Sequence, residues 1–179
     1  LTAVDLKTGK EVVLDSGQVK DAVRATMAIP GMISPVEVNG AKLVDGGILN
    51  NVPADLVRNM GADNVLAVDV SVGRLNTDPG SGFNAEQAIR SVLLPNFALD
   101  MWRAQAIMMQ EIVRYRLLLS PPEVLIMPPV PPDVTTFSFN RVAELIEIGE
   151  AAARKALPEI ELAQEQAVKA AQRSLNHDD

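Results

Sequence analysis

The stretch Leu43-Val-Asp-Gly-Gly-Ile-Leu-Asn-Asn-Val-Pro53 places an aspartate and two glycines directly after a β-prone run. The preceding Asn39-Gly40 pair is typical of a two-residue hairpin turn, so residues 42–44 are predicted to form the returning strand of a hairpin. Two consecutive glycines let the backbone take positive φ, and they let another chain segment or a substrate approach the Asp45 carboxylate. The same residues also fit a tight turn in which Asp45 only accepts hydrogen bonds from neighbouring amides.

Upstream of this stretch, short β-prone runs and one helical segment alternate with glycine turns. Residues 3–6 and 11–14 flank Lys7-Thr-Gly-Lys10, which predicts a second hairpin. From Val19 onward the apolar positions follow helical spacing, and Pro30-Gly31 ends that helix. The first part of the chain is therefore predicted to combine two hairpins with one helix.

Downstream, a short helix over residues 54–60 is predicted to end at Gly61. Residues 64–70 then form a nearly continuous apolar run, which is typical of a strand buried on both faces. A helix followed by such a strand indicates the layered α/β class. Asp69 in this strand and Asp5 in the hairpin of residues 3–14 fit capping roles, with a functional role as the alternative.

The rest of the chain is predicted to be mainly helical. Residues 84–94 and 97–119 form helices, residues 124–127 form one more strand, and a final helical region is interrupted near Pro158. The second helix carries an apolar stripe that is expected to face something apolar: Met101, Ala104, Met108, Ile112, Tyr115 and Leu119. Core packing is favoured for its Met101, Trp102, Met108 and Met109 cluster, and the alternative is an acyl-chain channel.

Composition excludes several classes of function. The chain is 47% hydrophobic, and its net charge of −7 would repel nucleic-acid phosphates, so no nucleic-acid partner is expected. It has no cysteine, and its single histidine is His177 in the tail, which excludes thiolate sites and makes a Ser-His-Asp triad from this chain improbable. No grouping has metal-ligand spacing and no Gly-x-Gly-x-x-Gly follows residues 65–70, so we expect no metal and no cofactor. No apolar run is long enough to span a membrane, and peripheral contact would have to be apolar and local.

Several motifs in series resemble the C-terminal half of the catalytic domain of bacterial patatin-like phospholipases. Besides the stretch quoted first, they are Asp21-Ala-Val-Arg-Ala-Thr-Met-Ala-Ile-Pro-Gly31, Ile33-Ser-Pro-Val36 and Gly61-Ala-Asp-Asn-Val-Leu-Ala-Val-Asp-Val70. The resemblance implies a three-layer α/β/α sandwich of the patatin type that is incomplete in this chain. Residues 1–179 would be the C-terminal part of one catalytic domain: a motif-bearing core over 1–70, a loop over 71–83, and helices with one closing strand over 84–179.

The resemblance also implies a reaction. Members of that family hydrolyse acyl esters with a serine on a Gly-x-Ser-x-Gly elbow and the aspartate of Asp-Gly-Gly. Asp45 would accept the serine proton directly and later activate the deacylating water, with no histidine required. The implied supporting residues are Gly46 and Gly47, which allow close approach, Asn51, which braces the loop, and Pro30, which fixes the nearby turn.

The chain departs from the family pattern because it contains no Gly-x-Ser-x-Gly. Gly80-Ser81-Gly82 lacks the required spacing and is expected to be a flexible linker. We therefore expect this chain to supply the dyad aspartate and the upstream half of the same domain to supply the serine, with an acyl lipid or ester as substrate. An acyltransferase and a catalytically silent binding or scaffold fragment are the alternatives.

Overall fold

A computed structural model of the chain describes residues 1–71, 96–131, 134 and 138–175. The chain divides into two compact units, one made of Leu1–Val52 and Leu94–Arg116 and the other of Pro53–Leu93 and Leu117–Asp179. The helices are α1 (Val19–Thr26), α2 (Gly47–Asn50), α3 (Ala54–Asn59), α4 (Asn96–Leu119) and α5 (Val142–Leu175), with a 3₁₀ turn at Phe139–Arg141. The strands are β1 (Thr2–Asp5), β2 (Lys10–Val13), β3 (Val36–Val38), β4 (Ala41–Asp45), β5 (Leu66–Val68) and β6 (Val124–Ile126). The fold is mixed α/β.

The first unit contains a four-stranded antiparallel sheet with the strand order β2-β1-β4-β3. Both predicted hairpins are confirmed. The turn between β3 and β4 has φ of 49° at Asn39 and 82° at Gly40, the left-handed values that this pair of residues tolerates. The two hairpins meet through β1 and β4, which places Ala3 opposite Asp45.

Helix α1 packs on this sheet through small side chains. Ala25 and Ala28 are fully buried and form a core cluster with Ala3, Val36 and Leu43 of the sheet. Small side chains let the helix backbone approach the strands closely, and the cluster excludes water from that side of the sheet. The segment after α1 is thereby held against β4.

The buried Asp5 carboxylate is satisfied by hydrogen bonds within its own sheet and turn. Its carboxylate accepts hydrogen bonds from the N–H groups of Lys7 (3.1 Å) and Lys42 (3.1 Å) and from the hydroxyl of Thr8 (2.9 Å). The N–H of Lys7 contributes most to holding the pKa of Asp5 below its usual value. The predicted capping role is therefore confirmed.

The second unit is built on a parallel strand pair, β5 and β6, with α5 packed against β6. Val124 and Ile126 of β6 form a buried cluster with Ala163 of α5. Gly61 follows α3 with φ of 96°, which confirms the predicted helix end. Asp69 is buried after β5 and accepts a hydrogen bond from the N–H of Ser71 (2.8 Å), which confirms its predicted capping role.

Burial around β5 differs from the prediction of a strand buried on both faces. It alternates: Val65, Ala67 and Asp69 are buried, whereas Leu66, Val68 and Val70 are exposed. Leu66 and Val68 share a face with Val124 and Ile126 because paired residues of parallel strands point to the same side. The buried cluster with α5 contains residues of β6 but none of β5, so the prediction of two buried faces is wrong for the described part of the chain.

Two helix predictions also need correction. Residues 97–119 do form a helix, but Met101, Met108 and Tyr115 of the proposed stripe are exposed, and Val113 is buried instead. Apolar residues occur all around this helix, so spacing alone does not select one face. The predicted interruption near Pro158 is wrong because α5 continues through it. Alanine-rich flanks with high helix propensity offset the lost N–H bond of proline.

Candidate functional site

Asp45 is the last residue of β4, and contacts on both sides of the strand fix its backbone. On one side it is paired with Ala3 of β1, and on the other its N–H donates to the carbonyl oxygen of Ala28 (3.0 Å). Ala28 belongs to the segment that follows α1. The aspartate is therefore positioned by the sheet and by the end of α1 together.

The two glycines after Asp45 act through close approach and not through an unusual backbone conformation. Gly46 has φ of −63° and ψ of −26°, which any residue can adopt, so the positive φ that glycine permits is not used here. A Cβ at position 46 would lie 2.7 Å from both the carbonyl carbon and the carbonyl oxygen of Thr2. Glycine at this position is thus required because the loop lies directly against the β1 backbone.

The Asp45 carboxylate is partly buried and accepts a hydrogen bond at Oδ1 from the N–H of Gly47 (2.8 Å). Burial raises its pKa above the ordinary aspartate value, and the Gly47 N–H opposes that shift without cancelling it. A carboxylate with a raised pKa accepts a proton more readily than an exposed aspartate does. The arrangement can therefore serve as a general base.

Asn51 directly follows the loop, and Pro30 lies two residues after Ala28, whose carbonyl oxygen accepts the Asp45 N–H. A Cβ at position 47 would lie 2.6 Å from Oδ1 of Asn51 and 3.1 Å from Oδ1 of Asp45, so both side chains flank Gly47. No hydrogen bond joins Asn51 to Asp45 within the described residues, and its bracing role stays a prediction. Pro30 lies in a turn in which the carbonyl of Ile29 accepts the N–H of Met32 and of Ile33. Its role in fixing that turn also stays a prediction.

Residues 2–58 match the sequence model of a family described as patatin-like phospholipase. This range contains the four-stranded sheet, helix α1 and the Asp45 loop. Residues 2–58 belong to the patatin-like phospholipase family. The resemblance drawn from the motifs is confirmed, whereas the placement of the chain in the C-terminal half of the catalytic domain stays a prediction.

Curated relatives match this chain over different lengths. An uncharacterized NTE family protein of Mycobacterium tuberculosis is 44% identical over 69 residues, which are 38% of this chain and 19% of the relative. A second one from the same organism is 32% identical over 165 residues, or 87% of this chain and 28% of the relative. A patatin-like phospholipase domain-containing protein of Caenorhabditis elegans is 41% identical over 70 residues, 38% of this chain and 5% of the relative. The chain thus spans less than a third of the length of each of these relatives.

Two residues that sequence reasoning did not select support the patatin-like loop. Thr2 contacts Gly46, and Asn50, which is buried, donates from Nδ2 to Oε1 of Glu11 (3.0 Å). Glu11 in turn forms an ion pair with Arg116 of α4 (3.6 Å). The Asn50-Asn51 pair signals an amide near the site, but sequence alone does not tell which of the two turns inward.

Three features that the sequence analysis considered fall outside the described residues. The side chain of Trp102, the Gly80-Ser81-Gly82 segment and His177 lie outside the described residues. Over the part of the chain that the structure covers, no group of histidine, cysteine, aspartate and glutamate side chains is arranged to hold a metal ion. None of the helices described here is both long enough and apolar enough to cross a membrane.

Proposed function

We propose that the complete protein hydrolyses acyl esters of lipids and that Asp45 is the general base of its serine–aspartate dyad. The observation that carries this proposal is a partly buried carboxylate with a raised pKa, at a strand end inside the segment that matches the patatin-like phospholipases. A base of this kind suits a hydroxyl nucleophile, because its pKa is raised above the ordinary aspartate value.

In the proposed reaction, Asp45 accepts the hydroxyl proton of the serine as the serine oxygen bonds to the acyl carbon. The proton then passes to the leaving alcohol as the ester C–O bond breaks. Asp45 next takes a proton from water, whose oxygen attacks the acyl-enzyme, and the proton returns to the serine as the carboxylic acid leaves. These steps require the serine hydroxyl within hydrogen-bond reach of the Asp45 carboxylate.

The chain itself contains no Gly-x-Ser-x-Gly, and the proposal assigns the serine to the upstream half of the same domain. The finer fold proposal follows from the same assignment. Residues 1–179 are the C-terminal part of one three-layer α/β/α domain, with a core over 1–70, a loop over 71–83 and the remaining elements over 84–179. The coverage of only 28% of a relative's length supports this division, as do the exposed apolar side chains of β5.

Four residues have supporting roles in this proposal. Gly46 and Gly47 allow the loop to lie against β1 and the Asp45 carboxylate to sit beside Asn51. Asn51 is proposed to brace the loop when substrate is bound, and Pro30 to fix the turn whose neighbouring Ala28 holds the Asp45 backbone. None of the four takes part in proton transfer.

The test is the replacement Asp45→Asn in the complete protein, assayed with a chromogenic acyl ester. Hydrolysis is expected to fall by about two or more orders of magnitude with the fold retained, since general-base assistance contributes on that scale. The matched control is Asp63→Asn, which removes an exposed carboxylate and should leave turnover unchanged. The parent enzyme should also lose activity on acidification at a pH above the ordinary aspartate pKa. Near-normal turnover by a folded Asp45→Asn protein would remove Asp45 from the mechanism.

A further inference from the structure

Helix α1 exposes its large apolar side chains and buries its small ones. Val19, Val23 and Met27 recur every four residues on one side of the helix and are 74%, 38% and 56% exposed. We call these three residues the α1 ridge. The buried contact with the sheet is made by Ala25 instead. This is the reverse of a usual surface helix, whose bulky apolar side packs on the core.

Two cations border the α1 ridge. Lys20 and Arg24 are one helical turn apart, are both exposed, and form no ion pair with another described residue. By helical periodicity Asp21 lies on the side away from the ridge. In a chain with a net charge of −7, this leaves a local positive strip beside an apolar one.

The α1 ridge ends close to the candidate active site. Met27 precedes Ala28, whose carbonyl oxygen accepts the N–H of Asp45 (3.0 Å). The turn that follows exposes two more apolar side chains, Met32 and Ile33. Apolar surface thus continues from the α1 ridge onto the turn next to the residue that positions the Asp45 backbone.

We propose that the α1 ridge docks the protein on bilayers that contain anionic phospholipids. Val19, Val23 and Met27 would enter the interface while Lys20 and Arg24 contact lipid phosphates, because apolar burial and local positive charge together give interfacial binding. The charge pattern selects this occupant, because an exposed apolar ridge bordered by the cations Lys20 and Arg24 complements an anionic lipid surface. As the place where the enzyme meets its substrate, this surface rests on the proposed lipid hydrolase function.

The experiment is vesicle flotation with the complete protein. Vesicles of phosphatidylcholine mixed with phosphatidylglycerol should bind it more strongly than phosphatidylcholine alone. The double variant Val19→Ser/Val23→Ser should lower the partition coefficient about tenfold or more, since binding scales with the buried apolar area. Lys20→Glu/Arg24→Glu should remove the preference for phosphatidylglycerol. The matched control Leu157→Ser/Leu162→Ser, which changes exposed side chains of α5, should bind like the parent.

Hydrolysis of a soluble short-chain ester separates the two proposals. Ridge variants that keep this activity and lose vesicle binding support the inference, and ridge variants that bind vesicles like the parent overturn it. A parent protein that hydrolyses no ester but binds vesicles through the ridge would refute the hydrolase proposal and leave the docking surface standing.

A covered ridge is the competing outcome. The chain contributes no cysteine, so Val23→Cys introduces a thiol that a maleimide can report once any other cysteine of the complete protein is replaced. Rapid labelling without vesicles and protection with anionic vesicles are expected. Protection without vesicles would show that protein covers the ridge, and the inference would fail.

Discussion

Gly46 lies so close to Thr2 that a Cβ at position 46 would come within 2.7 Å of the Thr2 carbonyl group. Besides the Thr2 hydroxyl, the nearest atoms belong to the backbone of β1, which cannot move aside as a flexible side chain would. The contact seats the Asp45 loop on the sheet. Packing against β1 therefore requires glycine at position 46, the first glycine of the motif.

Gly46→Ala is therefore expected to destabilise the complete protein by about 1–3 kcal/mol, the range for overpacking a tight site. Gly149→Ala is the matched control, because a Cβ there meets nothing within 4 Å and lies in helix α5. It should raise the free energy of unfolding by about 0.5–1 kcal/mol through helix propensity. Chemical denaturation of both variants measures the contrast, and equal effects would contradict the packing explanation.

Asp45 should weaken the fold at neutral pH. Because burial raises its pKa, the folded state binds more protons than the unfolded chain between the ordinary and the raised pKa, and stability falls as pH rises through that interval. Asp45→Asn keeps an oxygen acceptor for the Gly47 N–H and removes the charge. The variant should be more stable than the parent at neutral pH, with the gain shrinking below the ordinary aspartate pKa. Denaturant titrations across pH test this, and a gain that grew on acidification would contradict it.

Glu123, in contrast to Asp45, should stabilise the folded state at neutral pH. Burial alone would raise its pKa, but hydrogen bonds from the Val65 N–H (2.7 Å) and from Arg58 (2.9 Å) hold the pKa below its usual value. Its stabilisation is present above the ordinary glutamate pKa and is lost as pH falls through the lowered value. Because the pair is about one-third exposed, Glu123→Ala should cost about 1 kcal/mol at neutral pH. Glu150→Ala, which breaks an exposed helical pair, should cost less than about 0.5 kcal/mol. A larger loss from Glu150→Ala would reverse this ranking.

Met108 distinguishes the channel from the core interpretation of α4. It is 58% exposed, so Met108→Ala should cost well under the roughly 2–5 kcal/mol of a buried methionine deletion. If α4 lines the acyl channel, the variant should instead change the preference among ester chain lengths. Hydrolysis rates for a series of esters and denaturation of the same variant measure both quantities. A loss in the buried range with unchanged preference would place Met108 in the core of the complete protein.

Residues 1–179 expressed alone are expected to show no esterase activity and to associate. A base without its nucleophile has nothing to activate, and Leu66, Val68 and Val70 present apolar surface to water. Light scattering should detect association, Val68→Thr should reduce it, and supplying the upstream segment should restore solubility and hydrolysis. Turnover by the chain alone that survived Asp45→Ala would overturn the dyad assignment.

The hairpins and the site aspartate could be predicted because local chemistry determines them. Asn39-Gly40 encodes its own turn, and Asp45 follows a β-prone run directly. The reason for the glycines could not be predicted, because the contact of Gly46 with Thr2 joins residues far apart in sequence.

Periodicity was less reliable where the pattern was ambiguous. Helix α4 carries apolar residues on every side, so spacing could not show that Val113 would be buried and Met108 exposed. Residues 64–70 were predicted to be buried on both faces because the run is apolar. An apolar run does not show how many faces of the strand other elements cover. Pro158 is tolerated within α5 because the flanking residues favour helix.

The two sheets differ in the sequence separation between their paired strands. Adjacent hairpins close β1 onto β2 and β3 onto β4 over a few residues, whereas β5 must find β6 across the intervening chain that contains α4. Closing a long loop has a higher entropic barrier, so local pairings form first and the parallel pair forms late. We expect the strand edge of β5 to be open during synthesis and refolding, which makes this pairing the step most exposed to misassembly.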